Sequence, residues 1–157
     1  MESERGSLMA PVQDFIGTYT GQHELGYAGQ IAESQVAKDV ASRAIETAAV
    51  GFGIAVGAGT ADGSAKLGGG DFQGVTVADK TRAADEYAVG EMAGVMRKGT
   101  IWVVADGAVD PTDTVTYTAA DGKIGGKAAS GSNIVAIPGA KFETTAADGA
   151  LVRLYLG

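Results

Sequence analysis

The pattern of hydrophobic and polar positions changes at about residue 47. After Thr47, short segments alternate large apolar residues with small or polar ones at a period of two, as half-buried strands do. These segments are AVGFGIAVGA at 49–58, GVTVAD at 74–79, YAVGEMAGVMR at 87–97, GTIWVVADG at 99–107, TVTYT at 114–118, GKIGG at 122–126, SNIVAIP at 132–138 and KFETT at 141–145. Strands at a spacing of roughly 8 to 12 residues, without amphipathic helices between them, predict an all-β fold: a compact β-sandwich or β-barrel of short strands.

The last predicted strand, LVRLYL at 151–156, has two unlike faces. Its even-numbered residues are apolar, and its odd-numbered residues are Leu151, Arg153 and Tyr155. The alternation predicts one buried face and one amphipathic outer face. An amphipathic outer face suits a subunit contact, although an ordinary solvated sheet face is the commoner explanation.

Turn signals separate the predicted strands. Asp-Gly pairs stand at 62–63, 106–107, 121–122 and 148–149, and each predicts a turn in preference to a calcium ligand. The stretch TADGSAKLGGGD at 60–71 combines such a pair with three consecutive glycines, so we expect an exposed loop there.

The first 46 residues have a different character. Residues 1–30 contain scattered glycines and no sustained period, which predicts an arm, and Met9 is an alternative natural start that would make 1–8 an extension or tag. The alanine-rich stretch QIAESQVAKDVASRAIET at 30–47 fits a helix and an extended segment equally well on local evidence. We therefore divide the chain into an extended N-terminal arm, 1–46, and a β domain, 47–157.

Composition narrows the classes of function. The net charge is −7, from 12 basic and 19 acidic residues, and the basic residues are scattered, which argues against nucleic acid as a partner. No stretch approaches the roughly 20 apolar residues of a membrane span, and the acidic start MESERGSL is unlike a signal peptide. We expect synthesis in the cytoplasm and no membrane partner.

Residues that could perform catalysis or bind a metal are few. The chain has no cysteine and one histidine, His23, which excludes thiolate sites and a multi-histidine site within one subunit. The glycines of GFGIAVGAG do not form a phosphate-binding loop. The acidic pairs Asp110/Asp113 and Asp85/Glu86 lie in turn-like contexts. We predict no catalytic residue, no cofactor and no metal.

The order of the segments resembles a known family. GQIAES at 29–34, VASRAIETAAVGFGIAV at 40–56, GVTVAD at 74–79, YAVGEMAGVMRKGTIWV at 87–103 and AIPGAKFETTAADGALVRLYL at 136–156 resemble the structural cement, or capsid decoration, proteins of tailed bacteriophages. The resemblance implies a non-enzymatic β-rich protein on the outer capsid surface of the virion. It also implies two partners, the major capsid protein and the protein itself as a homodimer or homotrimer, and an extended arm.

Contact residues follow from the arm's composition and from the last strand. The arm's apolar residues are too widely spaced to build a core and too numerous for a solvated tail, so we expect them to pack on a partner. The predicted capsid or subunit contacts are Val12, Phe15, Ile16, Tyr19, Tyr27, Ile31, Arg43, Arg153 and Tyr155. An oligomeric carbohydrate-binding or adhesive β-module is the alternative, and it should expose clusters of Trp or Tyr.

Overall fold

The computed structural model describes residues 26–33 and 38–157. In this part the chain forms strands and no helix, which confirms the all-β prediction. The strands are β1 Asp39–Glu46, β2 Val50–Gly51, β3 Ala55–Ala58, β4 Ser64–Leu67, β5 Phe72–Thr76, β6 Glu86–Tyr87, β7 Met92–Asp106, β8 Thr116–Thr118, β9 Ile124–Gly125, β10 Ile134–Ala136, β11 Lys141–Phe142 and β12 Leu151–Leu156. Within the described residues, nothing has the length and apolar character of a membrane-crossing helix.

A small closed barrel occupies the first half of the fold. Strands β1, β4, β3, β5 and β7 are hydrogen-bonded in that order, and β7 pairs with β1 again. The β1–β4 pair is parallel and the other neighbours are antiparallel. Ile45, Val56, Ala65 and Val95 come from four different strands of the ring and form one buried cluster. These side chains therefore fill the barrel interior.

Strand β7 continues beyond the barrel and organises a second, larger core. Its residues 99–104 pair antiparallel with β12, and its end runs parallel to β9, from which β8 and β10 extend. Val95 belongs to the barrel cluster, whereas the next residue, Met96, belongs to the second cluster with Ile101 and Leu154. Successive strand residues point to opposite faces, so β7 serves both cores.

Lys38, the residue before β1, lies close to β7 at Gly99. The register of β1 against β7 shifts between Asp39 and Val40, opposite Lys98, and Gly99 has φ of 129°. A Cβ atom on Gly99 would lie 3.1 Å from Cβ of Lys38. Glycine permits both the unusual backbone angle and the close approach of Lys38.

The C-terminal strand confirms its predicted alternation. Val152, Leu154 and Leu156 are buried in the second core, and Leu151, Arg153 and Tyr155 are half-buried on the other face. The glycine of each predicted Asp-Gly pair has positive φ, at Gly63, Gly107, Gly122 and Gly149. The pairs at 62–63 and 148–149 lie in hydrogen-bonded turns, closed by Ser64 N–H to the Ala61 carbonyl and Ala150 N–H to the Ala147 carbonyl, whereas Asp106 is the last residue of β7.

Two segments differ from the pattern-based expectations. Ser64–Leu67, expected in an exposed loop, is β4, which pairs with both β1 and β3 and completes the barrel. Asp39–Glu46, assigned to the arm, is β1, so the helical alternative is wrong for these residues. Pairing with β4 on one edge and β7 on the other outweighs the helix propensity of an alanine-rich sequence. Residues 1–25 and 34–37 lie outside the described part.

Candidate functional site

The outer face of β7 and β12 presents a half-exposed strip of large side chains. Register pairs Leu151 with Val104, and Arg153 with Trp102. Val104 is 46% exposed and Trp102 is half-buried, because both point away from the core that holds Ile101 and Val103. This outer face combines apolar and charged groups, as protein contact surfaces do.

Residues 26–33 form the other edge of this surface. The N–H of Gly29 donates to the Trp102 carbonyl at 2.8 Å, the N–H of Trp102 donates to the Gln30 carbonyl at 2.9 Å, and the N–H of Ala32 donates to the Thr100 carbonyl at 2.8 Å. Ile31 bridges Ile101 and packs against the second core. This part of the predicted arm is therefore built into the sheet.

Arg153 connects the two edges of β7. Leu154 and Ile31 both pair with Ile101, so β12 and residues 26–33 lie on opposite sides of β7. The Arg153 guanidinium forms ion pairs with Glu33 and, through Nε at 2.9 Å, with Oε1 of Glu143. Its side chain therefore crosses the outer face of β7 and holds the three segments together.

A groove adjoins this surface at the loop between β2 and β3. One cavity, of about 190 Å³, is lined by apolar side chains that include Phe52, Ile54, Val104 and Ile124. A second cavity, of about 320 Å³, shares Phe52 and Ile54 and is also lined by Tyr27. Because the two cavities share these residues, we treat them as one feature, the Ile54 groove.

Charged side chains stand at both ends of the Ile54 groove. Lys80 Nζ lies 4.5 Å from the ring centroid of Tyr27 and 3.5 Å from Oδ1 of Asp85. At the other end, Asp148 Oδ1 accepts a hydrogen bond from the Gly107 N–H at 2.9 Å. Because both signs of charge are present, the groove does not favour a ligand of one charge, and its apolar floor is the property that distinguishes it.

A second exposed apolar area lies on the outside of the barrel. Val40 on β1 is 41% exposed and Met92 on β7 is 56% exposed. Both lie on the outer face of the barrel, because strand alternation places Val40 opposite to Ile45, and Met92 opposite to Val95, and these two fill the barrel interior. Arg43 lies on β1 opposite Ala93 and donates to the Ser42 carbonyl at 3.0 Å.

The structure places the predicted contact residues in three groups. Val12, Phe15, Ile16 and Tyr19 lie outside the described residues. Ile31, Arg153 and Tyr155 flank β7, and Tyr27 lies at the adjoining groove. Arg43 is separate, on the barrel.

The sequence analysis missed four exposed apolar residues, Val40, Val89, Met92 and Val104. For Val104 a signal was present. In GTIWVVADG, strand alternation puts Val104 on the same face as Trp102, opposite the buried Ile101 and Val103.

The acidic pairs singled out in the sequence have structural partners. Asp110 Oδ1 accepts from the Thr112 hydroxyl at 2.5 Å and from its N–H at 2.8 Å, and these hydrogen bonds lower the pKa of Asp110. Asp113 Oδ2 accepts from the Asp110 N–H at 3.0 Å. Both carboxylates fix a turn. Among residues 26–33 and 38–157, no group of three His, Cys, Asp or Glu side chains is placed to hold a metal ion.

Comparison with known families decides the classification. Residues 15–157 match a family described as structural cement protein (E217 gp24/Pam3 gp6). The chain belongs to this cement protein family. Membership gives the cement protein a structural role in a bacteriophage and associates it with the virion.

One solved structure shows the same fold. The cement protein is similar to a chain in the capsid of Myoviridae phage XM1, with 15% identity, a TM-score of 0.68, and coverage of 87% of this chain and 93% of that one. It also matches the N base of head fiber gp8.5 in bacteriophage phi29, with 13% identity, a TM-score of 0.47, and coverage of 77% and 95%. The second likeness is too weak to carry an argument. A comparison with curated proteins finds no match.

Proposed function

We propose that the protein binds the outer surface of the assembled major capsid shell of a tailed phage and stabilises it without catalysing a reaction. The observation that carries this proposal is the match to the structural cement family over residues 15–157. A partner that binds only the assembled shell stabilises it by RT ln(1 + [L]/Kd), about 2.7 kcal/mol per site at a hundredfold excess over Kd. Repetition over many sites makes this contribution large for the whole shell.

The major capsid protein is the proposed partner, with the protein itself as a homodimer or homotrimer. The outer face of β7 and β12 supports this, because Val104 is exposed and Tyr155 is half-buried beside the Arg153 ion pairs. The predicted contacts Val12, Phe15, Ile16 and Tyr19 extend the proposed capsid contact to the N-terminal residues. Neither nucleic acid nor a membrane is a proposed partner.

The alternative, an adhesive β-module that binds carbohydrate, requires exposed aromatic clusters. Tyr27 is the one aromatic residue among the large exposed hydrophobic side chains of the described residues. A single exposed ring does not provide the stacking platform that such a module needs. We therefore retain capsid binding as the proposed function.

Co-sedimentation with capsids that lack the protein tests this proposal. We expect the purified protein to pellet with intact capsids up to a saturating occupancy and to stay in the supernatant alone. Absence of binding at every concentration, with capsids that bind another known decoration protein, would overturn the proposal. A truncation of residues 1–25 should weaken binding markedly if the N-terminal residues form the anchor.

Two matched variants identify which strand face contacts the capsid. Tyr155→Ala changes the outer face of β12, and Met92→Ala changes the outer face of the barrel, at the far end of β7. We expect Tyr155→Ala to reduce capsid affinity and Met92→Ala to leave it unchanged. The opposite result would assign the contact to the barrel.

A further inference from the structure

The Ile54 groove lies where the N-terminal segment enters the described fold. Gly26 is in contact with the ring of Trp102, since a Cβ atom on Gly26 would lie 3.0 Å from Cδ1 of that ring. The next residue, Tyr27, lines the groove together with Ala28. The segment 12–25 therefore joins the described fold within two residues of the groove lining.

The groove lining combines an apolar floor with charged side chains, which are Lys80, Asp85, Asp106, Lys123 and Asp148. Its floor is formed by Phe52, Ile54, Val104 and Ile124, and Val104 is 46% exposed there. An apolar cavity of about 150 Å³ accommodates a benzene ring. The two cavities, of about 190 and 320 Å³, are each large enough for one aromatic side chain.

The tethered segment carries side chains of matching chemistry. Residues 12–25 include Val12, Phe15, Ile16, Tyr19 and Leu25. Seven residues lie between Tyr19 and Tyr27, and at roughly 3.3 Å per residue this length lets Tyr19 reach residues of the groove beyond Tyr27. A short tether gives such a segment an effective concentration of the order of millimolar.

We propose that the Ile54 groove binds the apolar residues 12–25 of the same chain in the free protein. Docking removes aromatic and aliphatic surface of the segment from water and covers Val104 and Ile54. This inference concerns the protein before it meets any partner, and it stands independently of the proposed capsid function. A second copy's N-terminal segment is the competing occupant.

The absence of cysteine makes a direct test straightforward. Double variants place one cysteine in the segment and one in the groove: Phe15→Cys with Val104→Cys, and Tyr19→Cys with Val104→Cys. The matched controls keep the segment cysteine and Val104, and carry Val40→Cys as the second cysteine. Val40 is 41% exposed on a strand and lies outside the groove lining. All variants are full-length and are oxidised with oxidised glutathione at low protein concentration.

We expect disulfides within one chain to form about tenfold faster with Val104→Cys than with Val40→Cys, because a disulfide requires close approach of the two Cα atoms. Mass spectrometry and non-reducing gels identify the product. Equal rates for Val104→Cys and Val40→Cys would overturn the proposal. Exclusive formation of disulfide-linked dimers would also overturn it, and would assign the groove to the segment of a second copy.

Discussion

Two buried tyrosines use their hydroxyl groups to hold loops against the core. The Tyr117 hydroxyl donates to the Gly69 carbonyl at 2.7 Å, and the Tyr87 hydroxyl donates to the Val77 carbonyl at 2.5 Å. Burial raises the pKa of both phenols, because it disfavours the phenolate. At the residue scale, the ionisation of these tyrosines is therefore linked to folding.

The raised pKa values predict loss of stability at alkaline pH. The folded state binds the phenol proton more tightly than the unfolded state. The contribution of the two tyrosines to the free energy of unfolding is therefore fully present below the unfolded pKa of about 10, and it is lost as pH rises through the folded pKa. Urea unfolding from about pH 8 to 11 should show this decline. Tyr117→Phe should lower stability by about 1 kcal/mol at pH 8 and make the decline shallower. If the free energy of unfolding falls equally steeply with pH in the wild type and in the variant, the decline does not come from Tyr117.

Two glycines with positive φ predict very different effects of the same substitution. Gly68 has φ of 60°, and a Cβ atom there would lie 2.0 Å from the Ala119 carbonyl oxygen. Gly63 has φ of 71°, and a Cβ atom there would meet nothing within 4 Å. We expect Gly63→Ala to cost roughly 1 to 2 kcal/mol from backbone conformation alone, and Gly68→Ala to cost clearly more. Chemical denaturation of both variants measures the difference, and equal losses would show that the backbone at Gly68 yields.

At the scale of single strands, the two faces of β12 predict a second contrast. Leu154 is fully buried in the second core, and Leu151 is half-buried on the outer face. Leu154→Ala should lower the free energy of unfolding by about 2 to 5 kcal/mol, because it removes buried methyl groups and leaves a cavity. Leu151→Ala should cost below about 1 kcal/mol. Similar losses in urea unfolding would mean that the outer face is covered in solution.

The edge segment 26–33 sets the point at which the chain can be shortened. A chain that begins at residue 26 keeps the bonds of Gly29, Gln30 and Ala32 to β7 and the packing of Ile31. We expect this chain to fold and to lose only the stabilisation that docking of residues 12–25 supplies. A chain that begins at residue 34 loses those contacts and should be destabilised by about 3 kcal/mol or more. Equal melting temperatures for the two truncations would contradict this role.

The sequence predicts elements whose pattern is local and misses those that depend on partners. In β12, buried apolar residues alternate strictly with the residues of the amphipathic outer face, so both faces could be assigned from the sequence. β4 is four residues long and follows an Asp-Gly turn, and its sequence SAKL has no distinctive period. It becomes a strand because β1 and β3 supply hydrogen-bonding partners on both edges. Those partners lie elsewhere in the chain, so no local signal identifies them.

The proposed contact surface also has some residues that a local pattern predicts and others that only the topology reveals. Arg153 and Tyr155 could be named from alternation, whereas Glu33 could not be recognised as a partner of Arg153. That ion pair requires the edge segment to lie across β7 from β12, which is a property of the topology. The Ile54 groove likewise joins residues from distant parts of the chain.

At the scale of the whole molecule, the outer face of β7 and β12 predicts self-association. Light scattering at micromolar concentration should show a homodimer or homotrimer, because the half-buried Tyr155 on this face gains burial there. Tyr155→Asp should shift the protein towards the monomer, and Met92→Asp on the barrel serves as the control. A monomeric wild type at high micromolar concentration would contradict the prediction.

Strand β7 also makes the molecule's resistance to a pulling force depend on the direction of the force. Its fifteen residues have a contour length of about 50 Å, and it is bonded to β1 and β5 at one end and to β12 and β9 at the other. Tension applied along β7 loads these rows of hydrogen bonds in shear, so many bonds must break together. Tension that pulls the C-terminus away from the sheet peels β12 off β7 and breaks the hydrogen bonds one after another. The protein should therefore resist stretching along β7 far better than peeling across it.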